Sequence, residues 1–184
     1  LAAVRHVLAL TQQGQVFSWG SNWAGQLGLG DTVNRFQPVR IPGLTDVVAV
    51  AAGWDFSLAL KSDGTVWAWG SNAENQLADG TTISRYLPTQ VPGLTNITKI
   101  IATRNPWFAI SADSSVWGVN VPFGWAFPGS TSAFGSRWRM PSLDGFVSFA
   151  GQWNYVLGLN SDGTIWTWGY RSSGMLGIDG TEDI

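Results

Sequence analysis

Apolar residues recur along this chain with period two, in short runs that return about every fifty positions. Leu8-Ala-Leu10, Leu58-Ala-Leu60 and Leu157-Gly-Leu159 alternate in phase, and each precedes a turn and a second alternating run. The second runs set Phe17, Trp67, Trp117 and Trp166 in one column, at separations of 50, 50 and 49, with Trp19, Trp69, Val119 and Trp168 in the next. Residues i and i+2 of a strand project from one face, so each copy predicts a hairpin with two large side chains side by side. The intervening Gln13-Gly14, Asp63-Gly64 and Asp162-Gly163 supply the positive φ of a tight two-residue turn.

A third strand is predicted ahead of each hairpin, in Val47-Val-Ala-Val50, Ile97-Thr-Lys-Ile100 and Phe146-Val-Ser-Phe149. Behind it come Gly25-Gln-Leu-Gly28, Asn75-Gln-Leu-Ala78 and Gly174-Met-Leu-Gly177, glycine-rich turns holding one leucine, and a long connection with room for a short outer strand. Antiparallel blades of three to four strands, without any amphipathic helix, predict an all-β propeller of about four blades. The paired rings are then the filling between blades. The whole of 1–184 reads as one propeller segment, with repeats at 1–50, 51–100, a degenerate 101–149 and an incomplete 150–184, the first lacking its inner strand.

Ala52-Gly53, Ser57 to Leu60, Asp63-Gly64, Trp69 to Asn72, Gly20-Ser-Asn22 and Gly25 to Gly28 together resemble the repeat of the regulator of chromosome condensation family. The resemblance implies a ring that is usually seven-bladed and a role in binding proteins, including nucleotide exchange on a small GTPase. It also implies a histidine in each blade at the position of His6, Phe56, Pro106 and Tyr155, kept only in the first. Gly53-Trp54 resembles the start of the Gly-Trp-Arg-His-Thr motif of the family's plant light receptor, but Asp55 and Phe56 replace the Arg and the His, which predicts no cation cluster there. Four blades fall short of seven, and the chain starts at Leu1, so it is expected to be an excerpt or processed product. A second chain or further blades of a parent chain are expected to cover its open sheet faces.

Composition narrows the chemistry. Ten basic and twelve acidic residues give a net charge of -2, which offers no footprint for nucleic acid or an anionic membrane. No apolar run approaches the roughly 20 residues of a spanning helix, so membrane insertion is not expected. Without cysteine there are no disulfides or thiolate metal sites, and either redox compartment is open, the extracellular side or cell surface being the first expectation. His6 is the lone histidine and reads better as a hydrogen-bonded blade residue than as a catalytic base. Ser62-Asp63 and Ser161-Asp162 are explained by turn chemistry, and Asp79-Gly80-Thr81 with Asp179-Gly180-Thr181 by loops. Gly25-Gln-Leu-Gly-Leu-Gly30 opens no helix and lacks the lysine of a phosphate loop. Neither catalysis nor a cofactor or metal is expected.

Tryptophans outside the columns remain. Trp54, Trp107 and Trp153 are assigned to the links between inner strand and hairpin, which emerge on one face of a propeller. A face rich in Trp, Tyr and Arg is the composition of protein-binding hot spots, and burial in the channel or seams is the competing fate. The expected partner-binding set is Arg5, His6, Trp54, Asp55, Arg104, Trp107, Trp153 and Tyr155. A carbohydrate-binding module using the same rings, or Phe123, Trp125, Phe127 and Trp138 of the third repeat, is the alternative, followed by an exchange-factor-like regulator.

Overall fold

The period-two runs pair locally because each hairpin needs only a short turn, and the resulting sheets then stack in chain order. The structure, a computed structural model, describes residues 2–3, 5–120, 137–151 and 155–169. The first blade comprises β1 (Ala2–Ala3), β2 (His6–Leu10), β3 (Val16–Gly20) and β4 (Arg35–Arg40). The second comprises β5 (Val47–Ala52), β6 (Phe56–Lys61), β7 (Val66–Gly70) and β8 (Arg85–Gln90). In the third are β9 (Ile97–Ala102), β10 (Trp107–Ser111), β11 (Val116–Val119) and β12 (Arg137–Arg139), and in the fourth β13 (Phe146–Gly151), β14 (Tyr155–Asn160) and β15 (Ile165–Gly169). Strands are antiparallel neighbours in sequence order within every sheet. This is a β-propeller arrangement, with no α-helix among the described residues.

One register runs through all four blades: Val7 pairs Trp19, Ser57 pairs Trp69, Trp107 pairs Val119 and Val156 pairs Trp168. The first blade does have an inner strand, the two-residue β1, with Ala2 opposite Leu8 and Ala3 opposite Val7. The hairpin turns are one residue longer than the spacing predicts. Lys61 N donates to Thr65 O at 3.0 Å and Gly64 N to Lys61 O at 3.0 Å, which closes a three-residue loop whose last member is left-handed. Gly14, Gly64 and Gly163 take that position with φ of 72, 77 and 87°, and Ser114 takes it in the third blade at 64°.

Three apolar seams lie between consecutive blades. Leu8, Val16 and Ile41 of the first blade meet Ala59 and Trp69 of the second. Phe56, Leu58, Leu60 and Val66 of the second meet Ile100, Trp107 and Val119 of the third, and Phe108, Ile110 and Val116 of the third meet Phe149, Val156 and Trp168 of the fourth. The two columns of the expected ring pair are buried unequally: Trp69, Val119 and Trp168 are buried in the seams, Trp67 and Trp117 are half-buried and pack against them, and Trp166 is exposed. The outer column lies nearer the hairpin turn, where the blades present their rim to solvent.

Polar bonds cross the seams as well. Trp69 Nε1 donates to Gln26 O at 2.9 Å and Trp107 Nε1 to Gln76 O at 2.8 Å, each reaching the leucine-bearing loop of the preceding blade. A side chain at Gly28, whose φ is +71°, would press within 2.8 Å of the Trp69 indole nitrogen, so the loop needs glycine to let the ring in. The matching loop of the second blade is held by Asn72, whose Nδ2 donates to Asp79 Oδ1 and Thr81 O while its Oδ1 accepts from Leu77 N. Asn22 does the same in the first blade, and Leu27 and Leu77 are buried under the two loops.

Candidate functional site

The links between inner strand and hairpin emerge at the ends of the blades opposite the turns, and three blades contribute to one cluster there. Trp54 lies in the link of the second blade. The Arg5 guanidinium of the first blade stands 4.1 Å from its ring centroid, and the Arg104 guanidinium of the third stands 3.5 Å away. The link is fixed from below, since Trp54 N donates to Arg104 O at 2.9 Å and Ser71 N to Asp55 O at 2.8 Å. Asp55 sits beside the sandwich: Arg5 Nη1 is 3.9 Å from its Oδ1, and Trp23 Nε1 donates to the same oxygen at 3.1 Å.

The electrostatics follow from this packing. Burial pushes the Asp55 carboxyl above its ordinary range, against the pull of Arg5, the Trp23 bond and Arg104. Partial burial and then repulsion from Arg5 hold Arg104 below its usual value. Cation–π contact with the Trp54 ring offsets part of the repulsion between two guanidinium groups. The replacement at Asp55 therefore does not remove cations from Trp54, because the neighbouring blades supply them. The cluster continues as polar contacts across the next seam, where Glu74 Oε2 accepts from Asn105 Nδ2 at 3.2 Å and from Asn120 Nδ2 at 3.4 Å.

Of the expected set, Arg5, Trp54, Asp55 and Arg104 come together. His6 and Trp107 do not belong to the surface, and this corrects the expectation for both. His6 is buried, with Nε2 2.7 Å from Ser57 Oγ across the first seam, and Ser57 Oγ donates to Gln26 O at 2.7 Å. Trp107 is the first residue of β10 rather than part of the link, and it occupies the place that Ser57 has in β6. Its ring is fully buried in the second seam. Tyr155 opens β14 in the place of Phe56, half-buried and two blades from Trp54. Trp153 and the loop residues Phe123, Trp125 and Phe127 lie outside the described residues, and of Trp138 only its strand position in β12 is described.

Trp23 is the contact that sequence reasoning missed. It is 57% exposed and holds Asp55, and its column does not repeat one residue type, since Ala73 stands at the matching position of the second repeat and Phe123 at that of the third. Among the described residues no three His, Asp or Glu side chains converge as metal ligands. The arrangement presents a broad indole edge, two guanidinium groups and one partly desolvated carboxylate on a rigid frame, which suits recognition of another surface.

Comparison with known proteins agrees with the blade architecture. The regulator of chromosome condensation (RCC1) repeat matches residues 13–60 and 63–105, and a second description of that repeat matches residues 47–76. The chain is 52% identical to alsin of Pan troglodytes over 56 residues, which is 29% of this chain and 3% of alsin. It is 48% identical to the ultraviolet-B receptor UVR8 of Arabidopsis thaliana over 50 residues, 26% of this chain and 11% of the receptor. Among solved structures, human WBSCR16 superposes with a TM-score of 0.74 at 25% identity, over 90% of this chain and 45% of that one. Yeast RCC1 (Prp20), solved with Kap60 bound, superposes with a TM-score of 0.78 at 21% identity, over 97% of this chain and 45% of that one. The chain thus spans less than half the length of these solved relatives and a small part of the curated ones. By its repeats and its fold, the chain belongs to the regulator of chromosome condensation repeat family.

Proposed function

We propose that this chain is a non-catalytic protein-binding scaffold whose partner docks on the link face around Trp54. The observation that carries the reading is the Arg5–Trp54–Arg104 sandwich, because three successive blades each give one residue to it. Rigid Trp and Arg side chains held in place before binding lose little conformational entropy on docking, the usual reason such residues anchor interfaces. With two guanidinium groups against one carboxylate, the cluster favours a partner segment that brings a carboxylate of its own. Support of a coarser kind comes from relatives of the same fold: yeast Prp20 has been solved with Kap60, and a second structure of it is described with its binding to Gsp1p and histones.

Site-specific photo-crosslinking tests the reading. A crosslinker placed at Trp23, beside Asp55, is expected to capture a discrete protein in cells, whereas one at Phe36 on the outer strand β4 is not. Trp54→Ala and Arg104→Ala are expected to reduce the Trp23 capture by about tenfold or more, the loss typical of an interface anchor. Equal capture from both positions, or capture untouched by Trp54→Ala, would refute a partner on this face.

A further inference from the structure

The turn that enters the third blade carries a pattern its neighbours lack. Asn96, Ile97 and Thr98 form the only Asn-x-Ser/Thr triplet in the sequence, the acceptor pattern of N-linked glycosylation. The repeat fixes which residues correspond. Val47, Ile97 and Phe146 begin β5, β9 and β13 and lie opposite Lys61, Ser111 and Asn160. Asn96 therefore stands where the second blade has Asp46 and the fourth Gly145, and all three are left-handed, at φ 55, 60 and 91°. Asn and Asp tolerate that geometry through their short polar side chains, which accounts for residue 96 taken alone. It does not account for Thr98, which replaces the exposed Val48 and Val147 of the neighbouring blades.

The backbone of the triplet is fixed while its asparagine side chain is free. Ile97 N donates to Gly64 O of the preceding hairpin turn at 3.0 Å, and Ala112 N donates to Asn96 O at 2.9 Å. A side chain on Gly64 would come within 3.0 Å of the Asn96 Cα, so the two turns are packed backbone to backbone. Asp46 Oδ2 accepts from Thr45 Oγ1 at 2.8 Å, whereas the exposed Asn96 amide makes no hydrogen bond among the described residues. Thr98 is exposed as well, its Oγ1 donating to Ile110 O at 3.1 Å. A cleft of about 370 Å³, bordered also by Ser111, Asp113 and Arg139, opens beside Asn96 and leaves room for a ring joined to its nitrogen. Such a ring breaks no described contact and buries no polar group. The triplet lies at the turn ends of the blades, away from Trp54, so a glycan there leaves the docking face clear.

We propose that Asn96 is a site of N-linked glycosylation, filled while the chain is exported. Asn96 Nδ2 attacks C1 of the reducing-end N-acetylhexosamine of a lipid-diphosphate-linked oligosaccharide. The Nδ2–C1 bond forms as the C1–O bond breaks, the lipid diphosphate leaves with the bonding pair, and the amide gives up one proton. The whole chain, secreted from cultured mammalian cells behind a cleavable signal, tests the site by peptide mass spectrometry before and after peptide N-glycosidase treatment. Most molecules are expected to carry an N-acetylhexosamine-containing adduct that the glycosidase removes, leaving Asp at position 96. Thr98→Ser is expected to keep the adduct, and Thr98→Val and Asn96→Asp, the residue of the second blade, to abolish it. Treated and untreated protein are expected to melt within about 2 °C of each other, as for a change at an exposed site. The chain isolated from its native cells is expected to carry the same adduct. An unmodified Asn96 in either preparation would overturn the proposal, as would an adduct that survives Thr98→Val and Asn96→Asp.

Discussion

His6 shows how one hydrogen bond fixes a protonation state. Ser57 has a single hydroxyl proton, which goes to Gln26 O, so the proton between Ser57 Oγ and His6 Nε2 belongs to the imidazole. The lone pair then sits on Nδ1, buried and without a partner among the described residues. Protonating it would place a charge in the first seam, and burial accordingly lowers the His6 pKa from 6.5 to about 4. Between those values the unfolded chain binds more protons than the folded one, so stability is full above pH 6.5 and is lost as pH falls toward 4. The loss at pH 4.5 is expected to be about 2–3 kcal/mol at 1.36 kcal/mol per unit. Asp55, raised by burial, acts in the opposite sense on acidification, so the comparison must isolate the histidine. Urea midpoints at pH 7.5 and 4.5 should converge in His6→Phe, the residue that the second blade carries as Phe56; an undiminished pH dependence in that variant would contradict this account of Nδ1.

At the scale of the strand and turn, the third hairpin departs from its neighbours in a way that can be repaired. Ser114 holds the left-handed conformation that Gly14, Gly64 and Gly163 hold elsewhere, a geometry costing a residue with a side chain about 1–2 kcal/mol. Against this, glycine loses more backbone entropy on folding, by about 0.5–1 kcal/mol. Ser114→Gly is therefore expected to stabilise by about 0.5–1 kcal/mol, a rise in Tm of about 2–4 °C by thermal melting; a fall in Tm would mean that the Ser114 side chain contributes a contact. The strands and seams were legible because an i, i+2 pairing repeats at fixed spacing, and Trp69 and Trp168 announced the buried column. Contacts that change position between repeats were not legible. Asp31 binds Arg35 from four residues away, whereas Asp79 binds Arg85 from six, so no column contains both carboxylates. Trp107 shares a residue type with Trp54 of the link but not its place, since Arg104 matches Trp54 at a spacing of 50 and register puts Trp107 at the start of β10. There it takes over a bond: with Val119 in the place of Trp69, the indole that reaches Gln76 O comes from the adjacent strand instead.

For the whole molecule, the outward faces of the first and fourth blades repeat the chemistry of the seams without being covered. Leu159 and Ile165 are 40% and 68% exposed, although Leu60 and Val66, at the same places in the second blade, are 2% and 0% exposed. Trp19 is likewise half-exposed where Trp69 is buried. Faces of this composition associate, and at micromolar concentration the isolated chain is expected to run by size exclusion with light scattering as a dimer or larger. Leu159→Lys with Ile165→Lys is expected to shift it toward monomer. A monodisperse species of 19.8 kDa before any substitution would exclude these faces as association surfaces. The crossings between blades carry a further consequence. Each blade touches mainly its sequence neighbours, so opening need not be shared by the whole array. Gln26 and Gln76 lend their backbone oxygens to the indole protons of Trp69 and Trp107, one at each of two joints. Such a proton exchanges with solvent only when its own joint parts, which gives the molecule two built-in clocks, Trp69 timing the first joint and Trp107 the second.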